Sequence, residues 1–170
     1  MRIVKILQLA VGLLIVLTAF CFLAAGLLIP VERSFTNEIE IKASAEKVWQ
    51  VVTDRDKYTE WQTNLTKVEV IDDKSWIEYP RDSPEPLNFS VGKDDRPGSM
   101  AFEYTMGNSF EGTWHGYITK TTSGVHLETR DAYLAKGWIT KILVYLFFDF
   151  DKFAKDWNGK LKQRVESLNQ

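Results

Sequence analysis

The sequence predicts an α+β domain in which a curved antiparallel sheet wraps a long C-terminal helix, with one apolar helix ahead of it. Three observations predict this. An uncharged apolar run covers Ile6 to Ile29. Six segments of alternating apolar and polar residues follow one another between Leu65 and Arg130. From Ile139 to Leu168 the apolar residues recur at steps of mostly three and four, the period of a helix with one buried face. A meander of strands with one apolar face needs a cover, and the C-terminal segment is the only element large enough.

The apolar run comes first. About 24 helical residues span roughly 36 Å, enough to cross a hydrocarbon core of about 30 Å. Arg2 and Lys5 precede it and Pro30 ends it. A cleaved signal peptide has a shorter apolar region that closes on a small-x-small site. Here Ala24-Ala25-Gly26 is followed by Leu27-Leu28-Ile29. The expected organisation is therefore a membrane anchor over residues 1–30 and a folded domain over residues 31–170. Arg2, Lys5 and the α-amino group favour an inside N-terminus, which places the domain on the outer, periplasm-like side.

Phe35 to Ile41 reads as a strand, with Phe35, Ile39 and Ile41 on one face. Ser44 is a suitable N-cap for a short helix that buries Val48, Val51 and Val52, and a second helical turn follows from Asp54 to Trp61. Leu65–Ile71 and Lys74–Tyr79 are strands joined at Asp72-Asp73, and Pro84 and Pro86 mark a loop. Leu87 to Val91, Met100 to Met106, Phe110 to Ile118 and Val125 to Arg130 complete the meander. One uninterrupted helix is expected from about Trp138 to Leu168, with Trp157 buried in its stripe. The start of that helix is apolar nearly all round, which fits either a lip that meets a bilayer, a ligand entrance or another chain, or a surface covered by the Arg81–Pro86 loop or the Trp138 side chain.

Composition excludes several functions. With 21 basic and 23 acidic residues there is no electrostatic footprint for nucleic acid. The one cysteine, Cys21, rules out an intrachain disulfide and a thiolate zinc site. No cofactor or metal is expected. His115 and His126 fall on the outward parity with Glu128 and Arg130, where a solvated sheet face is the simpler account. Asn64-Leu65-Thr66 and Asn88-Phe89-Ser90 are glycan acceptor sequons, relevant only in a glycosylating secretory pathway.

The run Ile41-Lys42-Ala43-Ser44-Ala45-Glu46-Lys47-Val48-Trp49, then Thr53-Asp54, Tyr58 and Trp61, resembles the N-terminal signature of the SRPBCC (START/polyketide-cyclase) helix-grip superfamily. Gly112-Thr113-Trp114, Ser123-Gly124-Val125 and Asp156 to Lys162 resemble later parts of the polyketide cyclase/dehydrase-like branch. The resemblance covers about residues 33–168. It implies a mostly apolar cavity between sheet and helix, and carries no catalytic residues to transfer. On the strand parity, Phe89, Phe102, Tyr104, Trp114, Leu127, Thr129 and Asp131 would line it, with Ile142, Leu146 and Phe150 from the helix. Gly112 and Gly116 flank Trp114 and leave room for a ligand or a close-packed helix. Asp131 either receives a polar head group or is solvated at the strand tip. The implied function is a non-enzymatic module that binds a lipid or other hydrophobic small molecule beside the membrane. The alternative is a cyclase or hydratase with inward acid/base groups, for which Asp131, Glu78 and Tyr104 are the candidates.

Overall fold

The computed structural model describes residues 2–168. Its elements follow the chain as α1 (Arg2–Leu28), β1 (Glu32–Ile41), α2 (Ala45–Thr53), a single 3-10 turn at Arg55–Lys57, α3 (Tyr58–Trp61) and β2 (Leu65–Val70). Then come β3 (Ser75–Pro80), β4 (Leu87–Asp95), β5 (Ser99–Met106), β6 (Phe110–Lys120), β7 (Val125–Ala135), α4 (Trp138–Phe147) and α5 (Phe150–Ser167). The seven strands form one antiparallel sheet in the order β1-β7-β6-β5-β4-β3-β2. Bulges between Leu65 and Lys67 and between Val91 and Lys93 interrupt the ladders, which bends the strands that carry them.

Local chemistry sets the element ends. Ser44 caps α2 by accepting from the Lys47 backbone N–H at 3.3 Å. Asp72 closes the β2–β3 turn, its Oδ1 accepting from the Lys74 N–H at 2.8 Å and from the Ser75 hydroxyl at 2.6 Å. Helix α1 is long and apolar enough to cross a membrane, a property that signal sequences near an N-terminus share.

The C-terminal segment corrects the expectation of one helix. It is two, separated at Phe148 and Asp149. Phe148 is extended, and the Asp149 side chain accepts from the Lys152 N–H at 3.0 Å, so a new helix is capped there. The break resets the helical phase. The sealed stripe of α5 is Ala154, Asn158, Leu161 and Val165, while Phe153 and Leu168 turn outward. Trp157 is half-buried at the border of that stripe, wedged between Trp61 at 5.6 Å and Trp114 at 5.5 Å.

Helix α5 packs on β1, α2 and α3. Its C-terminal part is fixed by Arg164, which pairs with Glu60, and by Lys162 Nζ, which donates to the Glu40 carbonyl at 2.7 Å. A buried polar bridge fixes its middle. Asn158 Nδ2 donates to Thr129 Oγ1 at 2.9 Å, and the Thr129 hydroxyl in turn donates to the Asn37 carbonyl at 3.4 Å. Thr129→Val keeps the volume but strands the Asn158 amide, so a loss of about 1–2 kcal/mol is expected in urea denaturation. An unchanged midpoint would show the bridge to be dispensable.

Candidate functional site

The inner face of the sheet divides into two halves. One half is an aromatic stack, sealed at Trp49, Trp76, Phe102 and Trp114. Trp76 lies flat on Phe89 at 4.9 Å and edge-on to Phe102 at 4.9 Å, and Phe102 stacks on Trp114 at 5.0 Å. Trp114 then meets Trp49 of α2 at 6.4 Å and Trp157 of α5. Trp49 is held in place by its indole N–H, which donates to the Pro97 carbonyl at 2.8 Å. Arg55 is buried with its guanidinium 4.0 Å above the Trp76 ring, one arm donating to the Asp73 carbonyl at 3.0 Å. Burial pushes its pKa down.

The other half is partly open. Phe89, Tyr104, Phe110 and Phe150 form a continuous aromatic strip, with centroid separations of 5.4, 6.1 and 6.1 Å along it. Phe150 also lies on Tyr133 at 3.9 Å and on Phe35 at 6.0 Å. All six rings except Tyr133 are half-buried. Helix α5 covers this half only through Phe150, its first residue, and packs further along on β1, α2 and α3.

Two carboxyl groups belong to this inner face. Asp131 pairs with Trp114 across the β6–β7 ladder and with Phe35 across the β1–β7 ladder, and therefore shares their side of the sheet. Among the described residues its Oδ2 has no hydrogen-bond partner. Burial raises its pKa from the ordinary 3.8 to about 7. Glu78 is raised to about 7 by burial as well, against the opposing hydrogen bond from the Trp76 indole at 2.9 Å. Tyr104 is raised chiefly by burial, then by the neighbouring Asp131 and Tyr133. Its ring lies across Gly112, where a Cβ would sit 2.4 Å from Cζ and 2.5 Å from the hydroxyl. Only glycine permits that approach, and it directs the Tyr104 hydroxyl toward β7 and Asp131.

The ten residues expected to line a cavity thus fall into three groups. Phe89, Tyr104, Asp131 and Phe150 come together on the open strip. Phe102, Trp114, Leu127 and Thr129 are sealed into the packed half, where Leu127 is core and Thr129 serves the bridge to Asn158. Ile142 and Leu146 lie elsewhere. Ile142 is buried against Gly26 of α1, and Leu146 is exposed, because the break at Phe148 and Asp149 takes α4 out of line with α5 and α4 packs on α1 and β7 instead. Ile139 and Leu143 are exposed for the same reason. The room beside Trp114 is also settled: at Gly116 a Cβ would meet the Trp114 ring at 2.5 Å and the Trp49 ring at 3.0 Å, so the close-packed helix takes it.

Asp131 is not at a strand tip. β7 continues to Ala135 because β1 begins at Glu32 and pairs with it over ten residues. Phe35, Phe110 and Tyr133 join the strip without having been singled out, although Phe35 and Phe110 show the inward parity in the sequence. The histidines stand four register positions apart on β6 and β7, about 13 Å. His126 pairs with Glu40 at 2.9 Å and His115 stacks on Tyr117. Among the described residues no cluster of three or more His, Cys, Asp or Glu side chains suited to a metal ion occurs.

A model of the polyketide cyclase / dehydrase and lipid transport family matches residues 32–166. The chain belongs to this family. Family membership agrees with solved structures of the same fold. The Zhui aromatase/cyclase from Streptomyces sp. R1128 superposes with a TM-score of 0.70 at 10% identity, covering 82% of this chain and 96% of that one. Norcoclaurine synthase from Thalictrum flavum gives 0.65 at 14%, covering 82% and 98%. A START superfamily protein from Mycobacterium smegmatis gives 0.60 at 17%, covering 81% and 98%. Identities this low establish the helix-grip fold and leave activity open. No curated protein matches by sequence. The family contains both ligand binders and polyketide cyclases, so the choice between them rests on this chain's own residues.

Proposed function

We propose that this family member is a membrane-anchored, non-enzymatic module that takes a lipid or other hydrophobic small molecule on the open aromatic strip. Residues 1–30 serve as the anchor and residues 31–170 as the binding domain, on the outer side of the membrane. One observation carries the reading. Asp131 offers an unpartnered carboxyl oxygen beside the rings of Phe89, Tyr104, Phe110 and Phe150, whose one polar group is the Tyr104 hydroxyl. A ligand with an apolar body and one hydrogen-bonding head satisfies both, the body against Phe89, Tyr104, Phe110 and Phe150 and the head on Asp131. Above about pH 7, where Asp131 is ionised, a hydrogen bond to it contributes about 1.5–3 kcal/mol, so at about pH 8 Asp131→Leu is expected to weaken binding of a fluorescent acyl-chain probe by roughly 10- to 100-fold. Native mass spectrometry of the full chain extracted in mild detergent should show a copurifying apolar molecule. A chain that carries none and binds no acyl probe refutes the reading.

The second reading is a cyclase or hydratase, favoured by two carboxyl groups that both exchange protons near neutrality. It requires turnover that vanishes in Asp131→Asn while the fold persists. Retained ligand binding without any conversion decides for the carrier.

A further inference from the structure

Helix α4 carries the sequence Trp-Ile-Thr-Lys-Ile-Leu-Val-Tyr-Leu-Phe, in which Thr140 and Lys141 are the only residues that are neither apolar nor aromatic. Most of its apolar surface faces outward: Ile139 is 50% exposed, Leu146 59% and Phe147 79%. Its one buried residue, Ile142, lies against Gly26 of α1. Water is a poor neighbour for such a helix, because contiguous apolar surface of this kind is rare on a soluble face.

The position of α4 along α1 identifies the neighbour. Trp138 meets Phe22 edge-on at 5.9 Å, and Ile142 lies over Gly26, where a Cβ would come within 3.2 Å of its Cδ1. Those contacts lie about 9 Å and about 3 Å from the end of α1 at Leu28, counted along the helix. The 27 residues of α1 extend about 40 Å, some 10 Å more than the hydrocarbon core, so its last turns straddle the boundary between acyl chains and head groups. Helices that lie in a membrane surface bury their apolar face about 5–10 Å into that same layer. Trp138 and Tyr145 suit this depth as amphipathic rings. Arg33, with its guanidinium 5.3 Å from the Tyr145 ring, supplies a cation at head-group level.

We infer that α4 is seated in the interfacial layer of the bilayer that α1 spans, so that the domain touches the membrane at two elements. The inference rests on the anchor reading above, and it adds a lipid surface as the partner of α4. It also places Phe148 and Phe150, which meet at 4.4 Å, at the point where the bilayer adjoins the aromatic strip.

Spin-label accessibility tests it in the full chain. The chain is reconstituted into vesicles of phosphatidylcholine and phosphatidylglycerol. Cys21 is replaced by serine, and a nitroxide is attached at Leu146→Cys, at Phe147→Cys or, as an aqueous reference, at Lys74→Cys on the β2–β3 turn. These side chains are exposed, so the core is untouched. A fourth sample carries the label on native Cys21, itself exposed on α1. The expected result is collision with oxygen exceeding collision with a soluble nickel complex at 146, 147 and 21, and the reverse at 74. Labels at 146 and 147 that meet nickel as freely as at 74, with the Cys21 label still in lipid, overturn the inference and leave the anchor standing. A Cys21 label open to nickel overturns both. Exclusion of both reagents at 146 and 147, with spin–spin broadening between chains, gives the face to a second copy and also overturns it.

Discussion

Trp114→Ala is expected to lower stability by about 3–5 kcal/mol, the largest effect of any substitution considered, in urea denaturation of the detergent-solubilised chain followed by near-ultraviolet circular dichroism. The reason is position. Trp114 touches Phe102 within the sheet, Trp49 from α2 and Trp157 from α5, and so joins three layers through one side chain. Its removal loses the transfer free energy of an indole and leaves a cavity bounded by three large rings. Aromatic pairs add about 0.5–1.5 kcal/mol each beyond burial. Collapse cannot fill the hole easily, because Gly116 beside it has no side chain to move in. A midpoint near that of wild type would mean that the stack is not a unit.

The second large effect depends on pH. Asp131→Asn is expected to be more stable than wild type by about 2 kcal/mol near pH 8 and equal to it near pH 4. Burial holds the folded-state pKa at about 7. In the unfolded chain the group titrates near 4. Below about pH 4 both states carry the proton and nothing is lost. As pH rises from about 4 to about 7 the unfolded state releases its proton and the folded state keeps it, so wild-type stability falls; above about 7 the loss is complete. A thousandfold difference in proton affinity corresponds to about 4 kcal/mol. Partial access of water to the open strip lowers this to about 2. Glu78 follows the same window in both proteins and cancels from the difference. Parallel stability curves from pH 4 to pH 8 would show that Asp131 is ionised in the fold.

Much of the sheet was legible because alternation depends on one strand alone. Phe102, Tyr104, Trp114, Leu127 and Asp131 have their side of the sheet fixed by parity, and Ser44 announced α2 through its own side chain. The break at Phe148 was not legible. Leu146, Phe150, Phe153 and Trp157 keep a helical spacing across it, and nothing as disruptive as proline marks it; the signal was Asp149, an acceptor placed three residues before a free Lys152 N–H. The extent of β7 depended on where β1 begins, which Arg33 and Ser34 do not advertise by hydrophobicity. The turning of Ile142 toward Gly26 joins residues 116 positions apart, and no local pattern encodes it. Division of the inner face into sealed and open halves likewise depends on where α2 and α5 pack, a tertiary quantity.

The bridge from Asn37 through Thr129 to Asn158 has a mechanical consequence. A slip of α5 by one turn would carry Asn158 about 5.4 Å from Thr129 and leave amide and hydroxyl groups unpaired in the core. Helix α5 is therefore a lever pinned at its midpoint, with Leu161 and Val165 clamped on one side of the pin and Phe150 on the other. Any movement of α5 therefore falls to the arm that carries Phe150, where Phe148 and Asp149 provide the joint.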